Sequence, residues 1–425
     1  MNRKTAPPIK DAVEFDLQLK PCEHFTLDNG VKVYTIDAGA QEVVQVELVF
    51  YAGNCFEQQK TVASATNFLL KNGTSQRTAF QLNEEFDYYG AFCQRAAYNE
   101  TAVVILSTLS KYLSRLLPVV EEMITDSIFP EEELAVYKQN TKQRLSVNLQ
   151  KCDFVATRLI DAYVYGEEHP YGAYSNAADI DALNREMLKA HFNKYYLNGR
   201  LLIFVSGKLP PETNELLNAH FGKKPINLPA SSGEGIEIKC AEVKKYRVQN
   251  DPNGVQGAIR MARPFPNMHH PDNIKAKVLN TLFGGFFGSR LMSNIREEKG
   301  YTYGIHSYIQ NHFQQTAWMI STEAGKDVCE ATVTEVYKEM NLLREEPVGA
   351  EELSLVRNYL IGTLLGDLDG PFHIMSRWKN IILNDLQADY FYDTIQIIKS
   401  ISAEELRELA GKYLVPDDFY ELVVI

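Results

Sequence analysis

The sequence predicts an α+β fold made of two homologous α/β-sandwich domains, each with a largely antiparallel sheet covered by helices. One observation is an internal repeat: "IDALNREMLKAHFNKYYLNGRLLIFVSG" (180–207) and "IKSISAEELRELAGKYLVPDDFYELVVI" (398–425) share one pattern of helix, turn and apolar strand. The other is that strands are grouped before helices in each half, whereas the strands of a parallel sheet alternate with helices. A chain of 425 residues is also too long for one ordinary core, so two or more domains are expected.

Each half is predicted to contain two strands, a helical region, two strands, several helices and a closing strand. In the first half, alternation of apolar and polar residues indicates half-buried strands in "GVKVYTIDA" and "VVQVELVFYAG". The segments "SATNFLLKNG" and "TAFQLNEEFDYYG" favour short helices, and "AFCQRAAYN" with "TAVVILSTL" favours a hairpin. Residues 111–165 are predicted to be mostly helical.

The repeat includes its helix caps. Asn184 and Ser402 lie at corresponding positions and can each N-cap an amphipathic helix, and Glu405 completes a capping box in the second copy. A second pair of segments, 119–139 and 336–358, shows nearly the same offset. Because the repeated elements occur in one order, they indicate a duplicated domain.

A linker is predicted between the two copies. The stretch "GKKPINLPASSGEGIEIK" at 222–239 is rich in Gly, Pro and Ser and has little periodicity. We therefore predict an N-terminal domain over 15–221 and a C-terminal domain over 240–425.

Composition excludes several classes of protein. A formal net charge of −12 argues against a nucleic-acid-binding surface, which needs clustered Lys and Arg. The first residues lack the apolar stretch of a secretory signal, and no segment approaches the roughly 18 apolar residues of a membrane span. The six cysteines form no CxxC pair, which suits a reducing compartment and no thiolate metal site. We expect a cytoplasmic protein, or a periplasmic one if a signal segment has been removed.

Several blocks of the sequence together resemble the pitrilysin or insulinase-type (inverzincin) zinc peptidases. These blocks are "NGVKVY", "GTSQRTAFQLNEEFDYYGA", "FPEEEL", "HPYG" and "GSRLMSNIREEKGYTYG". The resemblance runs from about residue 20 to 425 and is strongest to the processing-peptidase-like branch, in which separate chains pair. It implies that the two domains form half of a clamshell and that the complex degrades or processes peptides.

The metal-binding motif of that family is degenerate in this sequence. Active members carry HxxEH on a helix: the two His bind zinc from one helical face, the Glu activates the bound water, and a distal Glu completes the site. The resemblance places Ser64, Asn67 and Phe68 at the three motif positions, and Gln143 or Arg144 at the distal one. None of these side chains is a zinc ligand of that family. We therefore expect no metal or other cofactor in this chain and no peptidase activity by the chain alone.

The segment "NIREEKGYTYG" carries the residues that the resemblance makes functional. In two-chain members, the second half of the partner chain brings an Arg and a Tyr to the zinc site, and these correspond to Arg296 and Tyr303. Their implied role is to donate hydrogen bonds to the substrate carbonyl and to stabilise charge that develops on it. The local pattern independently predicts a helix ending at Lys299 and Gly300, followed by a strand, so that both side chains converge.

A glycine-rich stretch lies upstream of this pair. Gly284 and Gly285 allow a close approach of the backbone, and Phe286 and Phe287 are candidates to line an apolar subsite. Packing between helices explains the glycines equally well, and contact of 284–288 with substrate stays open. No phosphate-binding glycine motif is present.

Three functional hypotheses follow. The first is a non-catalytic, substrate-binding subunit of a heterodimeric zinc metallopeptidase, which supplies Arg296 and Tyr303 in trans to an HxxEH-containing homologous chain that holds the zinc. The alternative is a structural or binding protein of the same fold, similar to the core proteins of the bc1 complex. The third is an enzyme with another site, but "GEEHPYG" and "DLDGPFH" supply no set of nucleophile, base and orienting group.

The expected partners are the homologous chain and peptide substrates, with neither nucleic acid nor membrane. A homodimer of the isolated chain stays open, as do the length and sequence preference of the substrate.

Overall fold

The computed structural model describes residues 11–223 and 237–425, and these form two compact units. Most of the predicted linker at 222–239 lies outside the described residues. Two segments belong to the unit formed mainly by the other half of the chain: residues 11–20 belong to the C-terminal unit, and residues 370–379 belong to the N-terminal unit.

The N-terminal unit begins with strands and continues mostly with helices. Its elements are β1 (Glu23–Thr26), β2 (Lys32–Asp37), β3 (Val43–Phe50), α1 (Val62–Leu69), α2 (Ala79–Tyr88), β4 (Phe92–Ala97), β5 (Ala102–Leu109), α3 (Leu113–Thr125), α4 (Glu131–Asn148), α5 (Cys152–Tyr165), α6 (Ala177–Ala182), α7 (Arg185–Phe192), β6 (Leu201–Gly207) and α8 (Thr213–Phe221). The predicted short helices, the hairpin and the helical stretch after it are therefore confirmed.

The C-terminal unit repeats this plan. Its elements are β7 (Lys245–Val248), β8 (Gln256–Phe265), α9 (Asp272–Asn280), β9 (Thr302–Asn311), β10 (Thr316–Gly325), α10 (Cys329–Glu345), α11 (Ala350–Gly366), α12 (Pro371–Leu383), α13 (Tyr390–Ser400), α14 (Ala403–Tyr413) and β11 (Tyr420–Val424), with the first part of α12 assigned to the N-terminal unit. The chain also forms π-helical segments at Asn193–Leu197, Thr281–Gly285 and Met292–Glu298, and 3₁₀ turns at Ala12–Glu14, Asn54–Phe56, Ser110–Tyr112, Lys326–Val328 and Pro416–Asp418.

The two sheets have the same topology. The first has the order β1-β2-β6-β3-β5-β4 and the second has the order β7-β11-β8-β10-β9. In each, the closing strand lies inside the sheet, parallel to the first repeated strand and antiparallel to the second. All seven residues of β6 and all five of β11 are buried, because each strand has a neighbour on both edges and packing on both faces. The predicted fold class, with two homologous and largely antiparallel sheets, is confirmed.

Helix caps predicted from the repeat are present. The Asn184 side chain accepts a hydrogen bond from the Met187 N–H at the start of α7. Ser402 and Glu405 form the complete capping box of α14. These caps orient the helix that leads into each closing strand.

A buried ion pair attaches the segment 370–379 to the first sheet. The Lys379 ammonium lies 2.7 and 2.9 Å from the two carboxylate oxygens of Glu47, a residue of the inner strand β3. Glu47 is buried. Removing Lys379 would leave a carboxylate without its cation, which is why such pairs are costly to break.

None of the helices in the described parts of the chain is both long and apolar enough to cross a bilayer.

His191 makes the N-terminal unit sensitive to acid. Its Nε2 lies 3.1 Å from the Ala52 carbonyl oxygen, to which it can only donate, and burial lowers the pKa of the imidazole to about 4. An unfolded chain binds this proton near pH 6.5. The unfolded state therefore holds more protons between pH 6.5 and 4, so stability present above pH 6.5 is lost as the pH falls through this window.

We predict that the midpoint of urea unfolding falls less between pH 7 and pH 4.5 in His191→Gln than in the wild type. The substitution keeps an N–H donor for the Ala52 carbonyl but removes the titrating imidazole. His24, which is exposed on β1, supplies the matched control, and His24→Gln leaves the wild-type slope. An unchanged slope in His191→Gln would contradict the assignment.

Candidate functional site

The segment with Arg296 and Tyr303 is a helix end that turns into a strand. The π-helical segment Met292–Glu298 stops where the Lys299 N–H donates to the Asn294 carbonyl and the Tyr301 N–H donates to the Ile295 carbonyl. Gly300 has φ +66°, a left-handed conformation that glycine adopts without steric cost. The chain then enters β9, so the predicted helix end and strand are confirmed.

Arg296 lies between two aromatic rings. Its guanidinium carbon is 5.1 Å from the centre of the Tyr303 ring and 4.6 Å from the centre of the Phe287 ring. Tyr303 is 90% exposed and Phe287 is 58% exposed, so both rings reach solvent. The two residues that the sequence pairs are therefore close together, and Phe287 joins them from the preceding loop.

The guanidinium keeps its hydrogen-bond donors. Within residues 11–223 and 237–425, Arg296 has no ion-pair or hydrogen-bond partner, although Glu297 and Glu298 are its neighbours in sequence. The ring contacts use the faces of the guanidinium plane and leave the N–H groups at its edge. The site can therefore donate to a carbonyl or carboxylate oxygen from outside the chain, and the Tyr303 hydroxyl is a second donor.

Tyr303 stands at the start of a free sheet edge. β9 is the outermost strand of its sheet, and β10 is its one neighbour among the described strands. An outer strand presents backbone N–H and C=O groups on its open side. Two backbone groups of β9 have side-chain partners in the same unit: the Ile305 N–H donates to Met292 Sδ at 3.4 Å, and the Ser307 carbonyl accepts from Asn280 Nδ2 at 2.9 Å. The aromatic and guanidinium groups therefore lie beside an edge strand that can accept an extended segment at its remaining backbone groups.

The glycine-rich stretch divides into buried and exposed parts. Gly284 is buried: a Cβ there would come within 2.7 Å of the Ser307 Cβ and 2.8 Å of Leu291 Cδ1. The Phe286 ring stacks on Tyr359 at 4.7 Å, whereas Phe287 alone contacts Arg296. Close packing accounts for Gly284, and Phe287 is the member of the stretch that borders the Arg296–Tyr303 pair.

The three positions that the resemblance assigns to the zinc motif lie on α1, and their side chains make contacts within the N-terminal unit. The Asn67 side chain is buried and donates to the Val103 carbonyl at 3.2 Å and to the Tyr196 hydroxyl at 3.0 Å. The Ser64 hydroxyl donates to the Thr61 carbonyl at 3.0 Å. The Phe68 ring lies 5.2 Å from the Tyr137 ring. A hydroxyl, an amide and a phenyl ring do not fit zinc, which takes imidazole, thiolate or carboxylate ligands.

The distal position does not change this conclusion. Gln143 and Arg144 lie on α4 and, with Phe68 and Tyr137, line a cleft of about 430 Å³.

Arg95 contacts Phe68 at this cleft. Its guanidinium carbon is 5.3 Å from the Phe68 ring centre, and its Nη1 donates to the Phe68 carbonyl at 2.6 Å. Across the described residues, no three His, Cys, Asp or Glu side chains lie close enough to hold a metal ion.

Sequence reasoning missed Phe287, Tyr137 and Arg95 as partners of these positions. The sequence indicates Phe287 only as a candidate subsite residue, because its contact with Arg296 depends on a loop conformation that residue spacing does not encode. Tyr137 and Arg95 reach Phe68 from a distant helix and strand, so no local pattern marks them. His169, in the segment "HPYG", has a structural role: it is buried, and its Nδ1 accepts the Tyr171 N–H at 3.1 Å.

We predict that Asn67→Asp lowers the free energy of unfolding of the N-terminal unit by about 2–4 kcal/mol, because a buried carboxylate cannot donate to the Val103 carbonyl. Chemical denaturation at pH 7.5 measures the change. Asn83→Asp, an exposed change on α2, is the matched control and shifts stability by less than about 0.5 kcal/mol. Equal effects of the two changes would contradict the structural role of Asn67.

We predict that Gly284→Ala destabilises the C-terminal unit by about 1–3 kcal/mol, because the added methyl overpacks against Ser307 and Leu291. Phe287→Ala, at an exposed neighbour, changes stability by less than about 1 kcal/mol. Thermal unfolding of both variants distinguishes a packing glycine from a surface residue, and the reverse order of effects would refute this division of the stretch.

Comparisons with known proteins identify the family. The model "Insulinase (Peptidase family M16)" matches residues 32–171, and the model "Peptidase M16 inactive domain" matches residues 182–360. An uncharacterized zinc protease of Rickettsia felis is 24% identical over 93% of this chain and 90% of its own length. The beta subunit of the bovine (Bos taurus) mitochondrial-processing peptidase is 25% identical over 91% of this chain and 81% of its own length.

A solved structure of similar fold agrees with these matches. The peptidase M16 inactive domain from Pseudomonas fluorescens has a TM-score of 0.84 and 22% identity, and covers 95% of this chain and 98% of that one. The resemblance inferred from the sequence is thus confirmed. With these two matched regions, the chain belongs to the insulinase family of peptidases, family M16.

Proposed function

We propose that this chain is the non-catalytic, substrate-binding subunit of a heterodimeric zinc metallopeptidase. One observation carries the proposal: Arg296 is held between Phe287 and Tyr303 without a carboxylate partner among the described residues, in a chain whose zinc positions are Ser64, Asn67 and Phe68. A donor pair that faces solvent serves chemistry supplied by another molecule. The expected partner is a homologous chain that carries HxxEH and its zinc.

The proposed role of the pair is to hold and polarise the substrate. The guanidinium stays protonated throughout, so it can donate to a peptide carbonyl both before and after negative charge develops there. The Tyr303 hydroxyl donates to the same group or to the adjacent one. The rings of Phe287 and Tyr303 fix the guanidinium plane, so little reorientation is needed when charge appears. A zinc site in the partner chain would supply the attacking water.

The free edge of β9 supports peptides as the ligand. An extended peptide can pair its backbone with an outer strand, and the donors at the start of the strand then lie beside its carbonyl groups. Peptide substrates and a cytoplasmic location are parts of the same proposal. All six cysteines are free, which is typical of a reducing compartment.

The competing hypothesis is a structural or binding protein of the same fold without a peptidase partner. Loss of zinc ligands is equally expected for such a protein. The exposed arrangement of Phe287, Arg296 and Tyr303 favours the peptidase subunit, because a purely structural role does not require solvent-facing rings around an unpaired cation.

We predict that Arg296→Gln and Tyr303→Phe each lower kcat of the reconstituted heterodimer by about 10- to 1,000-fold, since the first replaces a charged donor by a neutral amide and the second removes a hydroxyl donor to developing charge. The complex is assembled with an HxxEH-bearing partner chain and assayed with unstructured fluorogenic peptides. A loss in kcat that exceeds the change in KM identifies stabilisation of the transition state rather than uniform binding.

Two matched variants control for surface effects in this assay. Arg407→Gln and Tyr392→Phe alter exposed residues of the same unit and leave kcat unchanged. Full activity of the Arg296→Gln, Tyr303→Phe double variant would reject the role of the pair. Stoichiometric zinc in this chain alone, or cleavage by it, would reject the subunit assignment. Mass measurement of the isolated chain separates a monomer from a homodimer.

A further inference from the structure

Two adjoining clefts in the N-terminal unit have no part in the function proposed above. The first, of about 290 Å³, lies beside the start of α1 and includes Lys60 and Thr61. The second, of about 600 Å³, lies between α4 and α5. Leu145, Arg158 and Tyr174 line both, so the clefts meet at these side chains. Their volumes are in the range of small-ligand sites.

Arg158 is a half-buried cation at the junction of the clefts. Its guanidinium carbon lies 4.4 Å from the centre of the Tyr174 ring and 5.4 Å from that of the Phe154 ring, and Nη2 donates to the Ser175 carbonyl. No carboxylate pairs with it in the part of the chain that the structure describes. Burial lowers the pKa of Arg158, but an arginine stays charged at neutral pH.

Glu57, the acidic residue that lines the first cleft, is otherwise engaged. Both oxygens of Glu57 accept backbone hydrogen bonds, from the Thr61 N–H at 3.2 Å and the Ala63 N–H at 2.9 Å. Burial raises the pKa of this carboxyl group to about 7, so part of its charge is lost at neutral pH. Lys60 and Arg158 therefore leave the first cleft with an excess of positive charge.

Thr61 points to a ligand independently. Its φ of +75° is in the left-handed region, which is sterically unfavourable for a β-branched residue. Its hydroxyl oxygen is buried and has no hydrogen-bond partner. A strained residue with an unused polar atom at the wall of a cationic cleft is expected where a ligand completes its hydrogen bonds.

The second cleft is mostly apolar. Leu145, Leu149, Val155 and Leu159 line it, with Asn176 at its margin. A ligand that fills both clefts has an anionic group at Arg158 and Lys60 and an apolar group against these aliphatic side chains.

We propose that the paired clefts bind the C-terminal carboxylate of a peptide whose last side chain is large and apolar. Arg158 and Lys60 hold the carboxylate, and the Thr61 hydroxyl donates to one of its oxygens. The apolar side chain enters the second cleft. Asn54 and Asn176 border the clefts. Asn54 Nδ2 donates to Asn99 Oδ1, and Asn176 Oδ1 accepts from the Asp179 N–H, so Asn54 Oδ1 and Asn176 Nδ2 remain for the backbone amides of a peptide, which a fatty acid of the same charge lacks. The proposal uses no residue of the Arg296–Tyr303 site, so either can fail alone.

Equilibrium binding to the full chain, without a partner, tests this site. The probe is a fluorescein-labelled hexapeptide ending in Leu, as the free acid and as the C-terminal amide. The free acid binds at least tenfold more tightly than the amide, and also more tightly than the same peptide ending in Ser. Arg158→Gln removes the preference for the free acid, Arg158→Lys keeps part of it, and Arg115→Gln, an exposed change in the same unit, keeps all of it.

If circular dichroism shows that Arg158→Gln is unfolded, Lys60→Gln is tested in its place. We expect Lys60→Gln to lower the preference for the free acid over the amide at least threefold. Equal binding of acid and amide, or an unchanged preference in folded Arg158 and Lys60 variants, overturns the site. Decanoate that displaces the peptide and binds as tightly overturns the assignment to peptides.

Discussion

The fold depends on the placement of the closing strand inside each sheet. β6 lies between β2 and β3, and β11 lies between β7 and β8, so a sheet is complete only when the last part of its unit has returned. The helices between β5 and β6, and between β10 and β11, must pack while the chain makes this return. One consequence is decisive for function. The first strand of each unit, β1 or β7, forms one edge of its sheet, and the outer strand of the hairpin β4–β5 or β9–β10 forms the other. The free edges β4 and β9 therefore lie next to α1 and next to the helix end of Arg296.

The two units share this topology but use equivalent regions differently. In the N-terminal unit, the Asn67 side chain donates to the Val103 carbonyl and the Tyr196 hydroxyl, and the Phe68 ring lies against Tyr137 at an interplanar angle of 42°. The side chains at the positions that the resemblance assigns to zinc ligands thus make contacts within the unit. In the C-terminal unit, the polar group near the free edge is left exposed, with Arg296 and Tyr303 at its start. In the first region Asn67 is part of the core whereas Phe68 is 44% exposed, and in the second region Tyr303 is 90% exposed.

Local signals in the sequence were sufficient for much of the fold. The caps at Asn184 and Ser402, the glycine at 300 and the hairpin strands each rest on contacts between residues close in the chain. The absence of zinc ligands at Ser64, Asn67 and Phe68 could also be inferred from residue types alone. Long-range contacts could not be predicted. Glu47 and Lys379 are 332 residues apart, and no pattern near either indicates that 370–379 joins the first unit. The strain at Thr61 is a property of the folded backbone, and the exposure of Phe287 depends on how Phe286 packs on Tyr359.

Arg296 and Arg158 share one physical arrangement, although they belong to different units. Each guanidinium lies near two aromatic rings, at 4.6 and 5.1 Å in one case and 4.4 and 5.4 Å in the other, and neither has a carboxylate partner among the described residues. Other described arginines, such as Arg95 and Arg200, also lack a carboxylate partner but lie over a single ring. Among the described residues, Arg158 and Arg296 are the two that combine two ring contacts with the lack of a carboxylate partner. Rings hold the planar cation in place without consuming its N–H groups, whereas a carboxylate would neutralise it and occupy two of them. Aromatic neighbours therefore position a cation while keeping it available, and this is the property that a binding site for carbonyl or carboxylate oxygens requires.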